Sequence, residues 1–300
     1  MNEQFCDIGG GIRLCYETFG DPADPALLLI MGLGTQMVAW HEDFCAQLVS
    51  EGFHVIRYDN RDIGRSTHLE GAPTPTIRQL VMRRPPAAYL LEDMADDAAR
   101  LLDHLGIDRA HVVGASMGGM IAQTLAATRP QRVLSLTSIM STTGGRRVGQ
   151  PAYRVLPIFL KQAPKEREAF IEHTVTLFET IGSRGIERDD DELREVAGLM
   201  FDRGLDPRGT SRQLAAIIAS GNRTKALHHI TAPTVVIHGT ADRLVRPSGG
   251  RATAKAIPGA KLVKVEGMGH DLPRPLWDQI VPAIVDNARR AGFSRQQAAA

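Results

Sequence analysis

The pentapeptide Gly114-Ala115-Ser116-Met117-Gly118 limits what this chain can fold into, because it joins a short apolar run, Ala110 to Val113, directly to a helical pattern, Met117 to Thr128. A sharp strand-to-helix turn leaves its central residue in a crowded backbone conformation. Glycines two positions to either side remove the side chains that would collide there. The serine hydroxyl is thereby pushed out of the turn, and the new helix aims backbone N–H groups and its positive dipole end at the space beside it.

The sequence around that turn alternates strand and helix signals. Ile12 to Phe19 reads as a strand, and Ala26 to Met31 lacks polar alternation, as a strand buried on both faces should. An amphipathic stretch at His41 to Glu51, a strand at Phe53 to Tyr58, a helix at Leu91 to Leu105 and a strand at Val133 to Ile139 continue the series. This rhythm predicts an α/β fold with a doubly wound, mostly parallel sheet.

The rhythm stops at the Ser/Thr/Gly-rich segment Ser141 to Gly145. Helical spacing dominates to about Ile230, in Glu166 to Thr180, Asp191 to Phe201 and Thr210 to Ser220. Strand and helix signals then resume at Thr234 to His238, Gly249 to Ala256, Lys261 to Val265 and Leu276 to Ala291, with a frayed tail expected at Gln297 to Ala300. The expected organisation is a core of residues 1–140 and 231–300, with a helical cap of residues 141–230 inserted above the carboxyl ends of the strands, where open α/β sheets gather their loops.

Composition excludes several partners. Thirty-five basic against 34 acidic residues leave a charge of +1, which gives no electrostatic reason to expect nucleic acid or an anionic membrane. No segment reaches the roughly 18 apolar residues of a membrane span, and the first residues lack a basic region followed by an apolar stretch. Cys6, Cys15 and Cys45 are odd in number and form no C-x-x-C pair, so neither a disulfide framework nor a zinc site is indicated, and a cytoplasmic setting is expected. A homodimer is left open.

A serine hydroxyl is a poor nucleophile at neutral pH and needs a base. His270, in Glu266-Gly267-Met268-Gly269-His270, follows a strand signal and two glycines, a connection able to bring an imidazole over the sheet edge. His104, His111, His173, His228 and His229 read as surface or packing residues, whereas His238 lies at a strand end that borders the site. The imidazole in turn needs a carboxylate to hold its tautomer. Asp242, just past the strand in His238-Gly239-Thr240-Ala241-Asp242, keeps the order serine, acid, histidine. It is preferred to Asp271, whose side chain is expected to point away from its neighbour, and to Asp59 and Asp62, which come too early. Met31-Gly32-Leu33-Gly34 follows the second strand signal, where oxyanion donors are needed, and the backbone N–H groups of Leu33 and Met117 form the candidate pair.

Together with Tyr58-Asp59-Asn60-Arg61-Asp62-Ile63-Gly64-Arg65-Ser66, these segments resemble the α/β-hydrolase superfamily. Two positions depart from the pattern of many relatives, Met31 in place of histidine and Asp62 in place of glycine. The run from Arg61 to Ser66 resembles the smaller esterase group around aclacinomycin methylesterase, and reads as a structural turn beside the site. The resemblance implies a serine hydrolase with Ser116 as nucleophile, His270 as base and Asp242 as its acid, acting without cofactor or metal on a small or medium neutral ester. Enol-lactone hydrolysis, C–C bond hydrolysis and cofactor-free perhydrolysis use the same parts. A ligand receptor or binding protein with a slow or idle triad is the alternative of another class. Leu156 to Leu160, Leu177 and Phe178, and Leu199 to Phe201 are candidates either for an apolar cleft or, for most of them, for packing of the cap on the core.

Overall fold

Alternate side chains along one strand account for the layering. In the computed structural model, which describes residues 2–155 and 163–292, every residue of β3 (Ala26–Ile30) is buried. Leu28 and Ile30 enter one hydrophobic cluster, and Leu27 and Leu29 enter another on the opposite face. A strand with apolar residues at all positions has no solvent face and must sit inside a sheet covered on both sides.

That sheet has eight strands in the order β1-β2-β4-β3-β5-β6-β7-β8. β1 (Gln4–Asp7) and β2 (Arg13–Phe19) form an antiparallel edge, and β2 pairs antiparallel with β4 (His54–Tyr58). From β4 onward through β3, β5 (Ala110–Ala115), β6 (Val133–Ile139), β7 (Thr234–Gly239) and β8 (Lys261–Val265) all pairings are parallel. The mostly parallel sheet is as the sequence predicts; β1 was not foreseen.

Helices cover both faces. α1 (Glu42–Ser50) contributes Phe44, Cys45 and Leu48 to the cluster that contains Leu27. A five-residue helix not foreseen from sequence, α2 (Ile77–Val81), lies mostly at the surface. α3 (Leu91–His104) buries Leu91, Met94, Ala95, Ala98, Leu101 and Leu102, an i, i+3, i+4 stripe, on the other face. α4 (Met117–Thr128) is buried from Met117 to Ala126, so it runs through the middle of the molecule.

Between β6 and β7 the described helices are α5 (Arg167–Ile181), α6 (Asp190–Arg203), α7 (Pro207–Ser220) and the short α8 (Thr224–Leu227). Asp189 caps α6 through the Glu192 N–H, and Asp206 caps α7 with Pro207 at its first position. α9 (Ser248–Ala256) and α10 (Trp277–Arg289) complete the layers. Met200 is buried with Met37 and Val38, and Leu199 and Phe201 pack against the same cluster, which is the packing role expected of most apolar residues in this segment. Residues 156–160 and the tail at 297–300 lie outside the described residues.

The intervening helices also meet the core through buried charge. Arg212 of α7 makes a bidentate pair with Asp62, at 2.8 and 2.7 Å, and both side chains are almost fully buried. Arg203 of α6 reaches Asp59 at 2.8 Å and Gln36 at 2.7 Å. Asp62 also accepts from the Tyr89 hydroxyl and the Leu69 N–H, each at 2.8 Å. Burial pushes its carboxyl up, but Arg212 and these donors outweigh that and leave it lowered. The Arg61 to Ser66 run is thus a structural turn, as read from sequence.

The three cysteines are free and buried. Among the described residues no helix is long and apolar enough to cross a membrane.

Removing one partner from a buried pair leaves an isolated charge. Arg212→Met should therefore lower unfolding free energy by about 3–5 kcal/mol in urea titrations. A loss below ~1 kcal/mol would show that Tyr89 and Leu69 alone suffice for Asp62.

Candidate active site

Ser116 follows β5 and stands at the N-cap position of α4 with φ 54° and ψ −117°, a left-handed conformation that a residue with a Cβ rarely adopts. Its neighbours hold it there. The Ser116 N–H donates to Ile139 O at 2.9 Å, and Ser141 Oγ donates to Ser116 O at 2.8 Å. The flanking glycines are needed for close approach: a Cβ on Gly114 would lie 2.2 Å from Gly118 O, and one on Gly118 would lie 2.0 Å from Ile30 O. Within this buried surround Ser116 alone of the turn remains partly exposed.

The loop after β7 carries Asp242 and the loop after β8 carries His270, and β7 and β8 are parallel neighbours. Main-chain bonds stitch the two loops together, from Thr240 N–H to Val265 O and from Ala241 N–H to Met268 O, each 3.0 Å. They are close enough that a Cβ on Gly239 would lie 2.1 Å from Met268 O. Within this frame His270 Nε2 stands 3.0 Å from Ser116 Oγ, and His270 Nδ1 stands 2.8 Å from Asp242 Oδ2. The three residues singled out from sequence, far apart in the chain, therefore meet in one hydrogen-bonded line.

Asp242 is buried, which favours its neutral form, yet its carboxyl is pulled down to about 2 by the facing His270 and by hydrogen bonds from His238 and His270. Its second oxygen, Oδ1, accepts the Leu244 and Val245 N–H groups, both at 2.9 Å. His238, expected at the border of the site, has Nε2 2.7 Å from Val245 O and 3.4 Å from Asp242 Oδ2.

The Met31 to Gly34 loop crosses the serine. A Cβ on Gly32 would lie 3.1 Å from Ser116 Cβ. Asn60 holds the loop through Met31 O at 3.0 Å, and Gln213 of α7 accepts the Gly34 N–H at 2.9 Å. The Leu33 N–H donates to no acceptor among the described residues, and Met117, first in its helix, has no intrahelical acceptor.

Of the rival carboxylates, Asp59 and Asp62 are engaged by Arg203 and Arg212. Asp271 turns from His270 to Ser183, whose hydroxyl donates to it at 2.6 Å. Sequence reasoning missed Ser183, Arg203, Arg212 and Gln213, which carry no local motif. The cluster of Asp62, His68 and Asp206 is compact enough for a cation, its ligand atoms lying within 4.8 Å of one another. Arg212 already bonds both carboxylates there, so a metal would have to displace a buried guanidinium. His228 and His229 are exposed, and His111 is buried against Ser135 at 2.8 Å.

A family model for the alpha/beta hydrolase fold matches residues 25–273 of this chain. Rhodomycin D methylesterase DnrP of Streptomyces peucetius is 30% identical, the match covering 93% of this chain and 96% of that protein. Rhodomycin D methylesterase DauP of Streptomyces sp. (strain C5) is 31% identical over the same shares. Among solved structures, the enol-lactonase from Burkholderia xenovorans LB400 superimposes with a TM-score of 0.72 at 24% identity, covering 95% of this chain and all of that one; at that identity the likeness speaks for the fold alone.

The lowered Asp242 carboxyl has a consequence for stability. Its folded value, about 2, is below the ordinary 3.8, so the fold favours the ionised form. That contribution is complete above about pH 4 and is lost as pH falls toward about 2. Urea unfolding should show wild-type stability falling between about pH 4 and pH 2 more steeply than that of Asp242→Asn, which takes up no proton there. Equal slopes would exclude Asp242 as the responsible group.

Proposed function

The chain belongs to the alpha/beta hydrolase fold family, and from that premise we propose that it is a serine hydrolase cleaving a small or medium carboxylic ester through an acyl-enzyme. The observation that carries this reading is the unbroken line Ser116 Oγ, His270 Nε2, His270 Nδ1, Asp242 Oδ2, with links of 3.0 and 2.8 Å. The names of the two Streptomyces relatives support an ester, and specifically a methyl ester, as the bond attacked.

In the proposed mechanism Ser116 Oγ attacks the ester carbonyl carbon while its proton passes to His270 Nε2. The carbonyl oxygen, now negative, accepts the Leu33 and Met117 N–H groups in this mechanism. Asp242 keeps the Nδ1–H in one orientation and faces the imidazolium. His270 and His238 hold its carboxyl low, so it stays ionised opposite the ring. Collapse of the tetrahedral species breaks the carbon–oxygen bond, and the imidazolium protonates the departing alcohol. Water then attacks the acyl-enzyme with His270 as base, releasing the acid and restoring the Ser116 hydroxyl.

No step calls for a metal or organic cofactor. The residues 141–230 act in this reading as the cap over the site, with the core on either side of them in sequence. The three buried free thiols are in keeping with a reducing, cytoplasmic setting.

Hydrolysis of p-nitrophenyl esters from acetate to long acyl chains tests the proposal. Ser116→Ala should lose about 10⁴-fold or more in kcat, and a serine-directed phosphonate should label Ser116 in the wild type, as read by mass spectrometry. A wild type that neither turns over these esters nor takes the label would remove the esterase reading. Weight would then move to a receptor or to a narrowly specific C–C bond hydrolase.

A further inference from the structure

The helices between β6 and β7 touch the histidine loop through the main chain. α5 ends at Ile181, and the residues after it run beside Gly267 to Asp271. The His270 N–H donates to Ile181 O at 2.8 Å, and the Arg184 N–H donates to Gly267 O at 3.2 Å. Between these two bonds lies a side-chain relay. The Gly269 N–H donates to Ser183 Oγ at 2.9 Å, and the Ser183 hydroxyl donates onward to Asp271 Oδ1 at 2.6 Å. The Ser183 N–H reaches both oxygens of Asp271, at 2.9 and 3.0 Å.

The two segments approach as bare backbone. A Cβ on Gly269 would lie 2.2 Å from Gly182 C, and one on Gly182 would lie 2.8 Å from Asp271 Oδ2. Contact this close leaves no slack, because a shift of one segment must move the other or break several hydrogen bonds in a partly buried place. Asp271 makes no ion pair among the described residues. Its carboxylate is spent on Ser183, next in space to the histidine loop rather than on a cation.

We propose that Asp271 and Ser183 are positioning residues of the hydrolytic site, forming a latch that ties the C-terminal end of α5 to the histidine loop and so sets where the His270 imidazole stands. The proposal rests on the serine-hydrolase reading for its kinetic consequences. The latch does not touch the reacting atoms. It acts through the main chain of His270, whose N–H is bonded to the last residue of α5. When that helix is seated, Nε2 and Nδ1 reach Ser116 and Asp242 together. Displacing the helix carries the imidazole off that line, and misplacement by about 1 Å costs on the order of 100-fold in rate.

Ser183→Ala, Asp271→Asn, the double variant and Ser183→Thr test the latch. kcat and KM are read with a p-nitrophenyl ester, and the downfield NMR resonance of the His270 Nδ1–H is read without substrate. Ser183→Ala and Asp271→Asn should each lower kcat by about 10- to 100-fold with KM little changed, and should broaden or abolish the Nδ1–H resonance. The double variant should be no worse than the weaker single variant, as expected of partners in one unit. Ser183→Thr, which keeps the hydroxyl, should restore most of the rate.

A lower unfolding temperature with kcat and the resonance unchanged would overturn the proposal in favour of a merely structural contact. A rise in KM alone would overturn it in favour of contact with substrate. If the wild type hydrolyses no ester, the esterase reading fails separately, and the resonance still decides the latch.

Discussion

The rest of the structure is arranged around the backbone of Ser116. At φ 54° it occupies a region that costs a non-glycine residue of order 1–3 kcal/mol, and it persists because its surroundings allow no relaxation. Ile139 O takes its N–H, Ser141 takes its carbonyl, and Gly114 and Gly118 bring β5, α4 and β3 closer than any Cβ would allow. The strain serves a geometric end, since it turns the hydroxyl outward at the carboxyl edge of the sheet with α4 starting directly behind it. Two further loops are then positioned against a fixed point: the Gly32 loop, which closes on Ser116 Cβ, and the His270 loop, which supplies Nε2.

Asp242 shows how packing and electrostatics combine in the same place. A carboxylate in a dry interior would ordinarily take up a proton. Here two N–H groups of the following turn occupy one oxygen, and His270 and His238 face the other. The parallel pairing of β7 and β8 brings the acid loop and the histidine loop side by side. Sheet topology thus fixes a hydrogen bond between residues 28 positions apart, and that bond keeps the imidazole in one tautomer.

What could be read from the sequence follows from how local each signal is. β3 is legible because five consecutive apolar residues leave no solvent face, and α4 because the Gly-x-Ser-x-Gly turn announces its first residue. β1 escaped because Gln4-Phe5-Cys6-Asp7 is a short edge strand with mixed exposure. α2 escaped because Ile77 and Val81 are exposed and make no stripe against a core. Ser116, Asp242 and His270 could be picked out as candidates because each follows a strand within a few residues. Arg212 and Ser183 were not, since their partners lie 150 and 88 positions away and nothing nearby distinguishes them from solvated helix-end residues. Asp62 stood out in sequence as a rival carboxylate and as a departure from glycine, and its pairing with Arg212 gives the departure a physical reason.

The contacts between the core and the intervening helices share one form. α7 is held by Asp62, α6 by Asp59 and the segment after α5 by Asp271, each a carboxylate from a core loop that receives several donors. Apolar contacts such as Met200 against Met37 and Val38 would permit those helices to slide, because one hydrophobic surface covers another nearly as well after a small shift. Buried polar contacts do not permit it, since any displacement leaves a carboxylate or guanidinium without partners. Such pairs are weak sources of net stability, yet they admit a single seating. Asp59 also accepts the Met37 N–H, and Gln213, beside Arg212 on α7, accepts the Gly34 N–H in the loop after β3. The seating of the helices is therefore linked by hydrogen bonds both to the Gly32 loop and to the His270 loop, the two loops that meet Ser116.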